Sequence, residues 1–184
     1  MVQYTVPGMK ANSGTQVIAL LQGRLNSLND LALTLKHVHW NVVGPNFIAV
    51  HTMLDPQVEA VRAMADEVAE RIAALGGEPV GTPGALVKQR DWDDYSIGRA
   101  DAIAHLGALD VVYAGIIEAN RTAIDKTEEL DLVTQDMLIG QGRQLEQFHW
   151  FIRAHLEAAD GTLSTGSAST EGAAARRAKK NKDR

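Results

Sequence analysis

The sequence predicts an all-α fold, a four-helix bundle with a short helix in the crossover between its second and third long helices. Three observations carry this. Four long stretches repeat apolar residues at helical spacing. Gly and Pro punctuate the junctions between them. The 184 residues are 45% hydrophobic, enough for one core with an extension.

Residues 1–14 read as an irregular N-terminal arm, with Pro7, Gly8 and Gly14. The bundle is expected over 15–160. Its first helix runs from about Thr15 to Val43, where Val17, Leu21, Leu25, Leu28, Leu31, Leu35 and Val38 share a face. Gly44-Pro45-Asn46 stops it, and Asn46 is placed to cap the next helix. The second covers about Phe47 to Leu75, with Val58, Val61, Ala65, Val68 and Ile72 on one face; Pro56 should bend it. Gly76-Gly77 ends it. The 78–95 connection holds a short helix near Thr82–Lys88. A third long helix is expected from about Ser96 to Glu128, and a fourth from about Leu132 to Glu157. Glycines 98, 107, 115, 140 and 142 fall in or near these helices, each costing up to about 1 kcal/mol against Ala, so close packing or assembly must compensate. Residues 161–184 change character: a Gly/Ser/Thr linker leads into Arg176, Arg177, Lys179, Lys180, Lys182 and Arg184, which reads as a flexible basic C-terminal tail.

Charge and cysteine content exclude several classes of function. Eighteen Lys and Arg against 23 Asp and Glu give −5, but unevenly. Residues 1–159 carry 12 basic and 20 acidic groups, net −8, and residues 160–184 carry 6 and 3, net +3. The body repels nucleic acid and the tail attracts it. With no cysteine there is no disulfide framework, thiolate site or cysteine nucleophile, a composition compatible with a reducing cytoplasm. No apolar run approaches the roughly 20 residues of a membrane span, and the N-terminus lacks the pattern of a secretory signal.

Five residues suggest metal chemistry. His51 and Asp55 are four apart on the second helix and share a face, as do Asp66 and Glu70. His39 lies five residues before Gly44 and His51 seven after it, so an antiparallel pair hinged there brings them to similar heights. Imidazole with carboxylate suits iron, manganese or zinc. Asp66 is eleven residues beyond Asp55, about 16 Å along a straight helix, whereas metal–ligand bonds are about 2 Å. One compact site then needs two chains, unless Pro56 kinks the helix sharply. Taken alone, Asp66 and Glu70 also fit an ordinary solvated face.

The run Thr34-Leu35-Lys36-His37-Val38-His39-Trp40-Asn41-Val42-Val43-Gly44 resembles the first signature of the Dps family, the DNA-binding proteins from starved cells. Phe47, His51, Leu54-Asp55 and Ala65-Asp66-Glu67-Val68-Ala69-Glu70-Arg71-Ile72 resemble the second. The likeness covers about 15–158, and the basic tail is most similar to actinobacterial members. It implies a ferritin-like subunit in a hollow dodecameric shell. It implies a di-iron ferroxidase site shared between subunits, with His39, His51 and Asp55 from one and Asp66 and Glu70 from its partner. Trp40 matches a tryptophan beside that site, or is a core anchor. The implied activity is oxidation of ferrous iron, preferentially by hydrogen peroxide, with storage of ferric mineral and non-specific DNA binding that protects against oxidative damage, in the cytoplasm and at the nucleoid. Asp131 and Asp136, at the start of the fourth helix, match acidic residues of an iron-access pore; acidic residues there also favour the helix dipole. The basic residues of the tail are the expected DNA contact, since such a run binds phosphates without reading sequence; the other reading is a solubilising tail.

Two alternatives follow from the same residues. One is a nucleoid-binding structural protein whose metal site is vestigial. The other is a ferritin-like enzyme with a site inside each bundle, for which Glu146-x-x-His149 has the right spacing. That motif occurs once where such sites use two, and it reads as coincidence. His37, His105 and His155 read as structural or exposed.

Overall fold

The computed structural model describes residues 4–182. Among them are helices α1 (Ala11–Asn41), α2 (Phe47–Ala74), α3 (Pro83–Gln89), α4 (Ala102–Thr127), α5 (Leu132–Ala154) and α6 (Glu171–Lys182). Strands β1 (Val42–Val43) and β2 (Ala100–Asp101) pair in parallel, Val42 with Ala100 and Val43 with Asp101. The four long helices and the short crossover helix are those expected. Two residues per strand are too few to leave an alternating pattern in the sequence.

The chain divides into two units, and each long helix contributes a stretch to both. The first unit holds the residues up to Ala32, Glu59–Trp92 and Glu118–Arg143. Its core is built from Val17, Leu21, Leu25, Leu28 and Leu31 of α1, Val61, Met64, Val68 and Ile72 of α2, and Leu138 of α5. Each fully buried aliphatic side chain contributes roughly 1.5–3 kcal/mol. Helix α2 ends at Ala74 and is closed by the turn at Gly76, with φ 84°, where the Gly76 N–H donates to Ala73 O (2.9 Å) and that of Gly77 to Ile72 O (2.9 Å). A Cβ at Gly76 would lie 2.3 Å from Tyr4 O, so no other residue fits. The crossover has little apolar content, and polar groups of α1 hold it instead. Gln22 bonds both the N–H and the carbonyl of Val80 (3.0 Å each), Asn26 Nδ2 donates to Gln89 Oε1 (2.9 Å), and Asp30 accepts from Arg90 (3.1 Å) and Trp92 Nε1 (2.9 Å).

The second unit holds Leu33–Val58, Asp93–Ile117 and the residues from Gln144 on. Leu35 and Val38 of α1, Val50 and Leu54 of α2, Leu106, Leu109 and Tyr113 of α4, and Leu145, Phe148 and Ile152 of α5 form its core. Helix α4 begins at Ala102 rather than Ser96 because Asp101 Oδ1 accepts the Ala104 N–H (2.9 Å), a capping geometry, while residues 96–101 serve other partners. By length and composition α4 could cross a membrane, contrary to the expectation that no stretch approaches that length. Just over half of its apolar window, 56%, is nevertheless buried inside the protein. His105 and Asn120 are fully buried, and Asp110 bonds His149 Nε2 (2.7 Å) and the Thr165 hydroxyl (2.9 Å). Pro56 sits within a continuous α2.

The tail carries a helix that the sequence reading did not expect. Residues Glu171–Lys182 are helical, and Ala174, Ala175 and Ala178 bury one face against α4. The reason lies at Gly107, where a Cβ would come within 2.8 Å of Ala174 O and 2.9 Å of Ala178 Cβ. Gly107 therefore repays its helix cost through close packing, as does Gly142 beside Asn120, whereas Gly115 and Gly140 face open space.

Candidate metal centre

His39, His51 and Asp55 come together in the second unit, their ligand atoms all within 4.8 Å of one another. Among the described residues this is the one group of three or more such side chains near enough to hold a single ion. The turn at Gly44, with φ 94°, reverses the chain between α1 and α2 and sets the two histidines side by side. Their rings stack with centroids 3.6 Å apart. His39 Nδ1 lies 2.9 Å from His51 O, and His51 Nδ1 lies 2.9 Å from His39 O. A carbonyl only accepts, so each Nδ1 carries the proton and each Nε2 of the neutral ring keeps its lone pair. That is the tautomer a metal needs, fixed by the backbone.

Asp55 Oδ1 is 3.3 Å from His39 Nδ1 and 3.0 Å from Lys36 Nζ. The Lys36 hydrogen bond holds the Asp55 carboxyl below its ordinary range, and His39 and His51 act in the same direction. The carboxylate is thus charged and half-exposed beside the two histidines. Lys36 was not among the expected site residues. Its position three before His39 on α1 is the signal that could have found it.

The remaining candidates are placed as follows. Trp40 is 71% exposed, its ring 5.9 Å from Lys36 Nζ, so within the chain it is no core anchor. Leu33, Phe47 and Ile48 are exposed in the same unit, and Phe47 packs 4.8 Å from the His51 ring. Asp66 and Glu70 are exposed on the later part of α2 and do not join the cluster. Asp136 is exposed on α5. Asp131, expected with Asp136 in the pore, has a side chain that is 8% exposed and held by Arg71 (2.5 Å) and by the Thr134 hydroxyl and N–H. Arg71 and Thr134 outweigh the effect of burial and keep that carboxyl low. His149 serves Asp110, so Glu146-x-x-His149 builds no metal site here. His37 bonds Ile97 O, and His105, kept low by burial, faces the Tyr95 hydroxyl at 3.1 Å. Arg176, Arg177, Lys179 and Lys180 are exposed on α6. The side chains of Lys182 and Arg184 lie outside the described residues.

Comparisons with known proteins show the family and the fold. The model of the ferritin-like domain matches residues 18–161. A DNA protection during starvation protein of Mycolicibacterium smegmatis is 58% identical over 180 residues, 98% of each chain. Among solved structures, DpsA14 from Streptomyces coelicolor is 66% identical with a TM-score of 0.88, over 89% of this chain and 98% of that one. Mycobacterium smegmatis Dps is 59% identical with a TM-score of 0.90, over 92% and 97%.

Proposed function

Because this chain belongs to the Dps proteins of the ferritin-like family, we propose that it oxidises ferrous iron, preferentially with hydrogen peroxide, and stores the ferric product. The observation that carries this reading is the pair of histidines locked through Nδ1 by each other's carbonyls, which leaves both Nε2 atoms out of those hydrogen bonds, with Asp55 in the same group of ligand atoms. Iron is the substrate. Two ferrous ions would each give one electron to a single hydrogen peroxide, whose O–O bond breaks and whose two oxygens take up two protons and leave as two waters, without releasing a hydroxyl radical.

Three ligands leave coordination positions open on an iron centre. We assign the missing carboxylates, Asp66 and Glu70, to a second copy of the chain, since their place eleven and fifteen residues beyond Asp55 puts them out of reach along one helix. The exposed Leu33, Trp40, Phe47 and Ile48 support this, being an apolar surface suited to burial in assembly. The proposed assembly is a hollow homododecamer, a particle of twelve 19.9 kDa chains. Asp136, with Glu128 and Glu129, supplies the exposed carboxylates of the iron-access pore. Asp131 organises the α5 terminus that carries Asp136.

DNA binding is assigned to the basic residues of 172–184, without sequence preference, in a cytoplasmic, nucleoid-associated protein. Repetition on an assembled particle adds avidity to weak single contacts. The test of oxidation mixes apo-protein anaerobically with ferrous iron, adds peroxide and follows ferric formation beside Asp66→Ala/Glu70→Ala. Fast oxidation lost in the variant is expected; equal, background rates would leave the metal site vestigial and DNA binding as the activity. Deletion of 172–184 should leave oxidation intact and abolish DNA retardation. Unchanged retardation at low salt would refute the tail's role.

A further inference from the structure

We infer that α6 binds the DNA backbone from its seat on the protein, as a rigid helical face, and not as a released tail. The inference rests on the DNA-binding reading above and adds how the surface is presented.

The seat is built to hold a helix. Gly107 removes the side chain that would strike Ala174 and Ala178, and Ala104 and Ala108 give a shallow surface for Ala175, flanked by Tyr95, Ile97 and Ala100. Such small residues bury little apolar area, so polar contacts fix the register. At the start of α6, Glu171 Oε2 accepts from both the Ser96 N–H (2.7 Å) and the Ser96 hydroxyl (2.8 Å). Near its end, Lys179 Nζ pairs with Asp101 Oδ2 at 2.9 Å, and Asn181 Nδ2 donates to Ser164 O at 2.9 Å. Upstream, the segment leading into α6 is tied down by buried Thr165, whose hydroxyl donates to Asp110.

Docking divides the cationic side chains between two tasks. Lys179 is engaged with Asp101. Arg176, Arg177 and Lys180 are exposed, and helical spacing puts them on the side of α6 opposite the alanines. From 176 to 180 the helix rises about 6 Å at 1.5 Å per residue, close to the advance of two phosphates of one strand along the duplex axis, about 3.4 Å each. A fixed helix loses less conformational freedom on binding than a flexible tail of the same charge. The acidic body explains why a seat is useful: it holds the cations at a set distance from the surrounding carboxylates.

The chain's lack of cysteine makes the test clean. Two full-length double variants, Ala104→Cys/Ala175→Cys and Ala108→Cys/Ala175→Cys, are oxidised to lock α6 on its seat. Retardation of a random-sequence duplex is then measured before and after reduction, with amide exchange of residues 174–181 followed with and without the duplex. The expected result is a cross-link in at least one pair, affinity within about twofold between the locked and reduced forms, and exchange protection kept on binding. Failure of both pairs to cross-link would overturn the docked helix. Binding at least tenfold weaker in the locked form, or protection lost on binding, would show that α6 must leave its seat. If locked and reduced forms both fail to bind while ferric formation proceeds, the DNA-binding reading itself falls, and the inference with it.

Discussion

Replacing Asp131 separates a structural carboxylate from a pore carboxylate. In the native chain it caps α5 through the Thr134 N–H and hydroxyl and pairs with Arg71, whose side chain is 16% exposed. Asp131→Ala removes the cap, worth about 1 kcal/mol, and the charged hydrogen bond, worth about 1.5–3 kcal/mol. A total loss of roughly 2.5–4 kcal/mol follows. For a chain of this length each kcal/mol lowers Tm by about 2–4 °C, so the drop is roughly 5–16 °C. Asp131→Asn keeps a capping oxygen and should fall by about half as much. The assay is calorimetry at fixed protein concentration, so that assembly contributes equally, together with ferric formation at limiting iron. Asp131→Asn should leave the rate unchanged, and Asp136→Asn should slow it. A Tm within about 3 °C of the parent for Asp131→Ala, or a rate that falls in Asp131→Asn as far as in Asp136→Asn, would refute the structural assignment.

Two further outcomes are expected. Asp101, Asp110 and Asp131 are all held below the ordinary carboxylate range: burial raises each, and the hydrogen bonds from Lys179, from His149 and Thr165, and from Arg71 and Thr134 outweigh it. A depressed folded pKa gives stability that is fully present above the unfolded value of about 3.9 and lost as pH falls through the folded one. Thermal scans should therefore show Tm dropping steeply below about pH 4, with a shallower drop in Asp110→Asn; equal slopes would contradict this. Gly107→Val places a side chain where Ala174 and Ala178 lie, so amide protection of residues 174–181 should fall at least tenfold while ferric formation is retained. Undiminished protection would show that α6 is seated elsewhere.

The long helices were legible because burial wrote itself as period: Leu21, Leu25, Leu28, Leu31 and Leu35 recur at three- and four-residue steps, and each is at most 3% exposed. His39, His51 and Asp55 were legible because helix geometry and one turn constrain them almost completely. Other features leave no periodic trace. The start of α4 depends on where Asp101 caps, a choice that composition does not distinguish from a start at Ser96. Helix α6 was hidden because alanine, although a strong helix former, carries little hydrophobic signal, and its seat depends on a missing side chain at Gly107, sixty-seven residues before Ala174. Asp131 could be read as pore or cap from sequence alone; only the position of Arg71, on another helix, decides for the ion pair.

The most direct test of the central claim, a ferroxidase site shared between two chains, is complementation. His51→Ala lacks one half of the proposed site and Asp66→Ala the other. Each is assembled alone and assayed for peroxide-driven ferric formation, and the two are then dissociated, mixed and reassembled. The account predicts two inactive parents and restored activity in the mixture, because a two-fold pair of unlike subunits contains one site with a full ligand set. Activity absent from the mixture, although mixed particles form, would contradict the shared site, and so would full activity in either variant alone.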